Sequence, residues 1–165
     1  MSLTIEEAET LVKLLGKMEW PLPPKVFSAI IGKIVSIPIE LVVLDSANRV
    51  LMTYREDREY KGWHLPGTVL REPETVLGAL ERLKTGELRG TEISTPVNIG
   101  WVEIPKGDGR GENPTRHEIS LVFVARLASK YCGQGKFFDI DNLPQALSHH
   151  YTLLDMVAAH LSLNP

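Results

Sequence analysis

The sequence predicts an α+β domain built on a mostly mixed β-sheet, preceded by a helical extension. Helix-like segments come first, followed by strands, one helix, more strands and a final helix. The 165 residues, 43% of them hydrophobic, are enough for one domain with its own core and too few for two. We therefore predict an extension over residues 1–35 and a single domain over residues 36–165.

The extension contains two amphipathic helices. In "TIEEAETLVKLLGK", Thr4 and Glu7 have the spacing of a capping box. The apolar residues predicted to share one face are Ile5, Ala8, Leu11, Val12 and Leu15. "WPLPP" ends this helix, and Pro24 suits the first turn of the next one. The side chains expected to be buried there are Val26, Phe27, Ile30, Ile31 and Ile34. We expect these faces to cover the core or a partner, which suggests a homodimer.

The first strands form a predicted hairpin. "IPIELVVL" and "RVLMTYR" are strand-like runs joined by the turn-forming "DSAN". "WHLPG" is typical of a short strand that ends in a turn. Residues 74–85 then have helical spacing, with Val76, Leu77, Leu80 and Leu83 apolar and Gly86 ending the helix.

The second half alternates strands with a long loop. "VNIGWVEI" and "HEISLVFVARL" are predicted strands, separated by the Gly-rich "PKGDGRGENPTR", and "KFFDI" is a possible last strand. "SHHYTLLDMVAAHL" is a predicted final helix. Its buried side is expected to contain Tyr151, Leu154, Val157, Ala158 and Leu161. We expect His149 and His150, at its start, to be solvated capping residues.

Charge and cysteine content exclude several classes of function. The net charge is −3 and there is no Lys/Arg-rich run, which argues against a nucleic acid as the main partner. No stretch approaches the length of a membrane span, and the N-terminus has no apolar signal core. The single cysteine, Cys132, excludes an internal disulfide and a cysteine-rich zinc site. A cytoplasmic location fits these features best.

Residues 66–90 resemble the Nudix box, G-x5-E-x7-R-E-U-x-E-E-x-G-U, where U is a bulky aliphatic residue. When "LPGT" is aligned on the usual "LPGG", Thr68 stands at the motif glycine, Glu74 at the first glutamate and Arg82 at the arginine. Leu83 stands at the next glutamate, whereas Gly86 and Glu87 occupy the Glu-Glu pair. The resemblance covers roughly residues 37–160, and it implies a sheet sandwiched between the helices near 74–86 and 148–162 (α/β/α).

The altered box is most similar to that of the GDP-mannose mannosyl hydrolase branch. That branch carries "ERL-x-x-x-EL", and this chain has "ERLKTGEL" over residues 81–88. The resemblance implies one Mg²⁺ (or Mn²⁺) ion and attack at the sugar carbon of a nucleotide sugar. One ion could stabilise a leaving diphosphate, whereas attack on phosphorus is often assisted by several metals.

The resemblance also assigns site residues. Glu74 and Arg82 are expected to form a structural ion pair. Metal ligands are expected at Glu87, at the backbone carbonyl of Gly67 or Thr68, and at Gln134. The residues assigned to substrate contact are Glu40, Arg55 and Arg58, with Arg55 also steadying the leaving diphosphate.

The general base is the least defined part of the site. The branch has a histidine beside its glutamine ligand, and this chain has none beside Gln134. His117 is a candidate base because imidazole titrates near working pH, although a surface position is equally compatible with its place at a strand start.

Three hypotheses of function remain open from the sequence. The first is a nucleotide-sugar hydrolase resembling the GDP-mannose enzymes. The second is a conventional diphosphatase that recruits other carboxylates, such as Glu72, Glu112 or Glu118. The third is a catalytically inactive module that binds a nucleotide or a protein.

Overall fold

The computed structural model describes residues 3–56, 61–107, 116–146 and 148–163. The helices are α1 (Ile5–Leu15), α2 (Pro24–Ile31), α3 (Val76–Gly86) and α4 (Ser148–Leu163). The strands are β1 (Val35–Ser36), β2 (Pro38–Leu44), β3 (Val50–Glu56), β4 (Lys61–His64), β5 (Gly67–Val69), β6 (Val97–Ile104), β7 (His117–Arg126) and β8 (Lys136–Phe138). These strands form one mixed sheet, which confirms the predicted fold class.

Strand β2 lies at the centre of this sheet. It runs parallel to β7, with Ile39 opposite Leu121. It is antiparallel to β3 at its C-terminal end and to β5 at its N-terminal end, where Glu40 pairs with Gly67. The predicted hairpin is therefore present. "WHLPG" ends a short strand as predicted, because β4 ends at His64, and the next strand, β5, begins at Gly67.

Alternate residues of β2 belong to two separate cores. Ile39, Leu41 and Val43 pack with the α3 residues Ala79, Leu80 and Leu83. Val42 and Leu44, on the opposite face, pack with the α4 residues Leu153, Leu154 and Val157. Since side chains alternate along a strand, α3 and α4 lie on opposite faces of the sheet. This arrangement confirms the expected α/β/α layers.

Helix α3 begins two residues later than the spacing suggests. Thr75 is its N-cap, and the Thr75 hydroxyl accepts a hydrogen bond from the Gly78 backbone N–H at 3.0 Å. Leu77 is exposed, whereas Leu83 is buried in the core between α3 and the sheet. Leu83, which replaces a box glutamate, is therefore a core residue.

The extension is only partly packed. The Thr4–Glu7 capping box is present on α1, yet no residue of α1 is buried. In α2, Ile31 is buried and Phe27 packs edge-on against Trp20. The prediction for Ile34 is wrong, because α2 ends at Ile31 and Ile34 is exposed beyond it.

Helix α4 buries only part of the face that was expected, where Leu154, Val157 and Leu161 contact the core as predicted. Tyr151 and Ala158 are exposed, and Leu153 is buried with Leu154 and Val157. The expectation of solvated capping histidines is also wrong, because His150 is only 2% exposed. The buried face of α4 begins with the polar residue His150, so hydrophobic periodicity alone did not identify that face correctly. Among the described residues, no helix is long and apolar enough to cross a membrane.

Candidate active site

A cavity of about 350 Å³ opens between β3, β4, β5 and the end of α3. Its lining residues are Thr53, Tyr54, Arg55, His64, Gly67, Gly86, Glu87, Arg89 and Gln134. The structure thus brings together four residues assigned from the sequence: Glu87, Gly67, Gln134 and Arg55. Arg58 and Glu112 lie outside the described residues.

Glu87 caps the C-terminal end of α3 and points a largely buried carboxyl group into the cavity. Burial raises its pKa to about 7, and this effect is opposed by the Gly67 backbone N–H, the Thr53 hydroxyl and the charge of Arg55. The Thr53 hydroxyl oxygen lies 3.4 Å from Glu87 Oε2. The Glu87 carboxylate is therefore short of compensating charge, and a cation would favour its ionised form.

Gly67 leaves room for the close approach of Glu40. A Cβ atom at position 67 would lie 2.6 Å from Glu40 Oε2, so any larger residue would collide with the carboxyl group. Glu40 does not line the cavity but packs behind Gly67. Burial raises the pKa of Glu40 to about 8, with further contributions from the charges of Glu118 and Glu87. The expected substrate contact of Glu40 would need an approach from that buried side.

Glu74 and Arg82 form a two-point ion pair. Arg82 Nε donates to Glu74 Oε1 at 2.7 Å, and Arg82 Nη2 donates to Glu74 Oε2 at 2.8 Å. Arg82 also donates to Thr68 Oγ1 at 2.6 Å and to the Val69 carbonyl at 3.0 Å. Thr68, at the position of the motif glycine, thus adds a contact. These bonds tie β5 to α3 and fix Gly67 opposite Glu87.

His64 is a site residue that sequence reasoning missed. Its Nδ1 lies 2.6 Å from the Leu65 carbonyl, and its Nε2 lies 3.0 Å from the Thr53 hydroxyl. Because a carbonyl only accepts, Nδ1 carries a proton, and the single proton of the Thr53 hydroxyl can be donated either to His64 Nε2 or to Glu87 Oε2. The sequence did contain a signal for this residue. Side chains alternate along a strand, so His64 points to the opposite face from its neighbours Trp63 and Leu65.

His117 does not enter this cavity. Its Nε2 lies 3.0 Å from Glu103 Oε1 at the start of β7. Side chains alternate along β7, and the next residue, Glu118, faces a second cavity of about 250 Å³. Glu118, and not His117, lines this second cavity. The structure therefore gives no geometric support for His117 as general base.

The second cavity adjoins the first and includes residues of the extension. Arg55 and Gly67 line both cavities, and Trp20 and Phe27 line the second. The Arg71 guanidinium lies 5.2 Å from the centre of the Trp20 ring, a cation–π contact. The extension therefore contributes aromatic surface beside the site, although we expected it only to cover the core or a partner.

The donor set of the first cavity fits one Mg²⁺ ion. Glu87 offers one carboxylate, and Gly67 and Gln134 offer carbonyl oxygens, which are the hard ligands that Mg²⁺ prefers. A cluster of several ions does not fit these residues, because Leu83 lies in the core and Gly86 has no side chain.

No protein-family model and no curated protein matches the sequence. Solved structures do resemble it. A possible asymmetric diadenosine tetraphosphate hydrolase from Jonesia denitrificans aligns with a TM-score of 0.65 and 15% identity, over 81% of this chain and 98% of that one. A MutT NUDIX hydrolase from Burkholderia pseudomallei aligns at 0.62 and 21% identity, over 76% and 99%.

A third structure extends the likeness over more of the chain. The NUDIX domain of Shewanella oneidensis NrtR, solved with ADP-ribose, aligns with a TM-score of 0.63 and 17% identity, over 91% of this chain and 97% of that one. At such low identity the likeness concerns the architecture, and fold alone does not fix function. The chain therefore has the fold of the Nudix hydrolases.

Proposed function

We propose that this protein is a Mg²⁺-dependent hydrolase of a nucleoside-diphosphate derivative. The observation that carries the proposal is the convergence of Glu87, Gly67, Gln134 and Arg55 on one cavity. The Glu74–Arg82 ion pair holds the walls of that cavity together. The resembling structures include proteins described as diadenosine tetraphosphate and ADP-ribose hydrolysing enzymes, which supports the substrate class.

Most of the cavity residues have a role in this proposal. Glu87, the Gly67 carbonyl and Gln134 would hold Mg²⁺, which supplies positive charge to the diphosphate when bound. Arg55 and Arg89 line the same cavity and would donate hydrogen bonds to diphosphate oxygens. His64 Nε2, hydrogen-bonded to Thr53, would accept a proton from the attacking water through that hydroxyl.

The finer proposal is attack at the sugar carbon of a nucleotide sugar such as GDP-mannose. It is supported by the single box carboxylate and by the "ERLKTGEL" resemblance. Attack at carbon needs mainly a stabilised diphosphate leaving group, which one ion and two arginines can provide. Attack at phosphorus is the alternative, with Glu118 in the adjoining cavity as an additional carboxylate.

A nucleotide-binding module without hydrolytic activity is the second candidate. The observation that favours it is the core position of Leu83, which leaves no room for a carboxylate ligand there. Such a module would keep Arg55 and the neighbouring aromatic side chains of Trp20 and Phe27 for binding.

A substrate panel tests the proposal. The purified protein is assayed with GDP-mannose, ADP-ribose and diadenosine tetraphosphate in Mg²⁺ or Mn²⁺. We expect Glu87→Gln to abolish turnover of the preferred substrate, while Glu81→Gln, an exposed change on α3, leaves it unchanged. Absence of turnover with every substrate, together with nucleotide binding that is insensitive to Glu87→Gln, would support the binding module instead.

The products identify the bond that is cleaved. In ¹⁸O-labelled water, attack at carbon places the label on the free sugar and releases an intact nucleoside diphosphate. Attack at phosphorus places the label on a phosphate group. Label on phosphate would contradict attack at the sugar carbon, but the proposal that the protein is a hydrolase would stand.

A further inference from the structure

A cluster of two histidines and one carboxyl group lies on the α4 side of the sheet. One ligand atom from each of Glu40, His149 and His150 lies within 4.8 Å of the other two. Glu40 is 8% exposed and His150 is 2% exposed, so the cluster is inside the protein. None of the three residues lines the cavity around Glu87.

Chain geometry explains why these residues meet. Glu40 lies on the same face of β2 as Val42 and Leu44, which pack against α4. His149 and His150 are in the first turn of that helix, and their ring centres are 4.3 Å apart. The cluster thus continues the row formed by the α4 core, with polar groups in place of aliphatic ones.

The carboxyl group of Glu40 is not satisfied within the protein. Its Oε2 atom is fully buried and has no hydrogen-bond partner among the described residues. A buried polar atom without a partner costs free energy, and such atoms are rare in folded proteins. An unpartnered oxygen beside two imidazole rings points to a ligand that accepts electron pairs from all three groups.

We propose that Glu40, His149 and His150 form a binding site for a divalent transition metal, with Zn²⁺ as the preferred ion. Two imidazole nitrogens and one carboxylate oxygen are a recurring zinc ligand set, and three protein ligands leave a fourth position for water or a substrate atom. Imidazole nitrogen disfavours Mg²⁺ and Ca²⁺, which select oxygen ligands. The site is therefore separate in chemistry from the proposed Mg²⁺ site at Glu87.

Metal binding at this site has identifiable costs. Zinc ligand atoms about 2.1 Å from the ion lie roughly 3.4 Å apart in a tetrahedron, so the side chains must move together by on the order of 1 Å. His150 Nδ1 would lose or weaken a contact with the Leu65 backbone N–H, already long at 3.4 Å. The α4 N-terminus carries partial positive charge that opposes a cation, and ionised Glu40 compensates for it.

The cluster is connected to the candidate active site through short contacts. His150 meets the Leu65 N–H, and the Leu65 carbonyl meets His64 Nδ1. His64 Nε2 then meets the Thr53 hydroxyl, which contacts Glu87. A metal at the cluster would pin the start of α4 to β2, and by weakening the His150–Leu65 contact it would change the support of the backbone next to His64.

Calorimetric titration with Zn²⁺ alone as the probe tests the site. The full chain is stripped with EDTA, dialysed free of chelator and titrated in excess Mg²⁺, which occupies the Glu87 cavity if that site binds. We expect one Zn²⁺ per chain. His149→Gln and Glu40→Gln should each weaken binding by at least about tenfold, the loss seen when even an outer contact to a metal ligand is removed. His160→Gln, on the same helix, should bind like the parent.

Cobalt substitution and unfolding provide the second measurement. Co²⁺ at a four-coordinate nitrogen and oxygen site should give visible absorption bands, absent from His149→Gln and present in His160→Gln. Thermal unfolding in EDTA verifies that each variant is folded, and added Zn²⁺ should raise the melting temperature of the parent but not of His149→Gln. Absence of Zn²⁺ binding to the parent would overturn the proposal. So would Zn²⁺ binding by His149→Gln and Glu40→Gln that is as tight as binding by the parent, or binding lost only in Glu87→Gln.

Discussion

The buried carboxyl group of Glu40 should make the free energy of unfolding of the protein depend on pH. Its pKa rises from 4.5 to about 8, mainly through burial. A group whose pKa is higher in the folded than in the unfolded state stabilises the fold below the unfolded pKa, and this contribution is lost as the pH rises through the folded pKa. We therefore expect the free energy of unfolding of the metal-free protein to fall as the pH rises from 4.5 to 8, because Glu40 becomes ionised inside the fold.

The size of the effect follows from the two pKa values. Each unit of difference between folded and unfolded pKa is worth about 1.4 kcal/mol, so the loss approaches about 5 kcal/mol above pH 8 and is about 3 kcal/mol at pH 7. Glu40→Gln keeps the side-chain shape and removes the titration. The variant should resemble the parent near pH 4.5 and exceed its free energy of unfolding by several kcal/mol at pH 8.5.

Urea unfolding in EDTA at pH 4.5, 7 and 8.5 measures this difference. EDTA removes any metal that would hold Glu40 in its ionised form. Glu81→Gln is the matched control, because Glu81 is exposed on α3 and its substitution should not change the pH profile. Parallel pH profiles for the parent and Glu40→Gln would refute the reasoning, since they would mean that Glu40 is ionised at little cost in the fold.

Three further outcomes are expected. Arg82→Ala should lower the free energy of unfolding by about 2 kcal/mol, because it leaves partly buried acceptors on Glu74, Thr68 and Val69 without their donor. The control variant Lys84→Ala should not have this effect. Equal unfolding curves in denaturant for Arg82→Ala and the parent would contradict the ion-pair argument. Arg55→Ala should reduce kcat/KM by about tenfold or more, with partial retention in Arg55→Lys, as measured by steady-state kinetics. We also propose a homodimer through the exposed apolar face of α1, so Val12→Asp should give a one-chain mass in sedimentation equilibrium where the parent gives two; a one-chain mass for the parent would end that proposal.

Short sequence patterns predicted the loop and helix that support the site, because the residues involved are close together in the sequence. Residues 66–90 contain the turn, the capped helix and both members of the Glu74–Arg82 ion pair, which the resemblance to the Nudix box implied. The hairpin from β2 to β3 was also predictable, since a turn-rich tetrad separates two apolar runs. These are short-range consequences of backbone geometry.

Long-range contacts between polar residues were not predictable in the same way. Glu40 and His150 are far apart in sequence, and neither glutamate nor histidine is among the residue types most often buried. Their burial depends on the packing of α4 against β2, which no local pattern encodes. Ile34 shows the converse, since its apolar character predicted burial but the end of α2 left it in solvent.

The two box positions that lack a glutamate, Leu83 and Gly86, differ in how readily a carboxylate could be introduced. Leu83 contacts the sheet from the buried face of α3, so a glutamate there would place a charge in an aliphatic core. A Cβ at Gly86 meets no described atom within 4 Å, and replacing a helical glycine costs nothing in backbone freedom. A descendant of this chain could therefore regain a second carboxylate in one step at position 86, whereas position 83 would first need a different core.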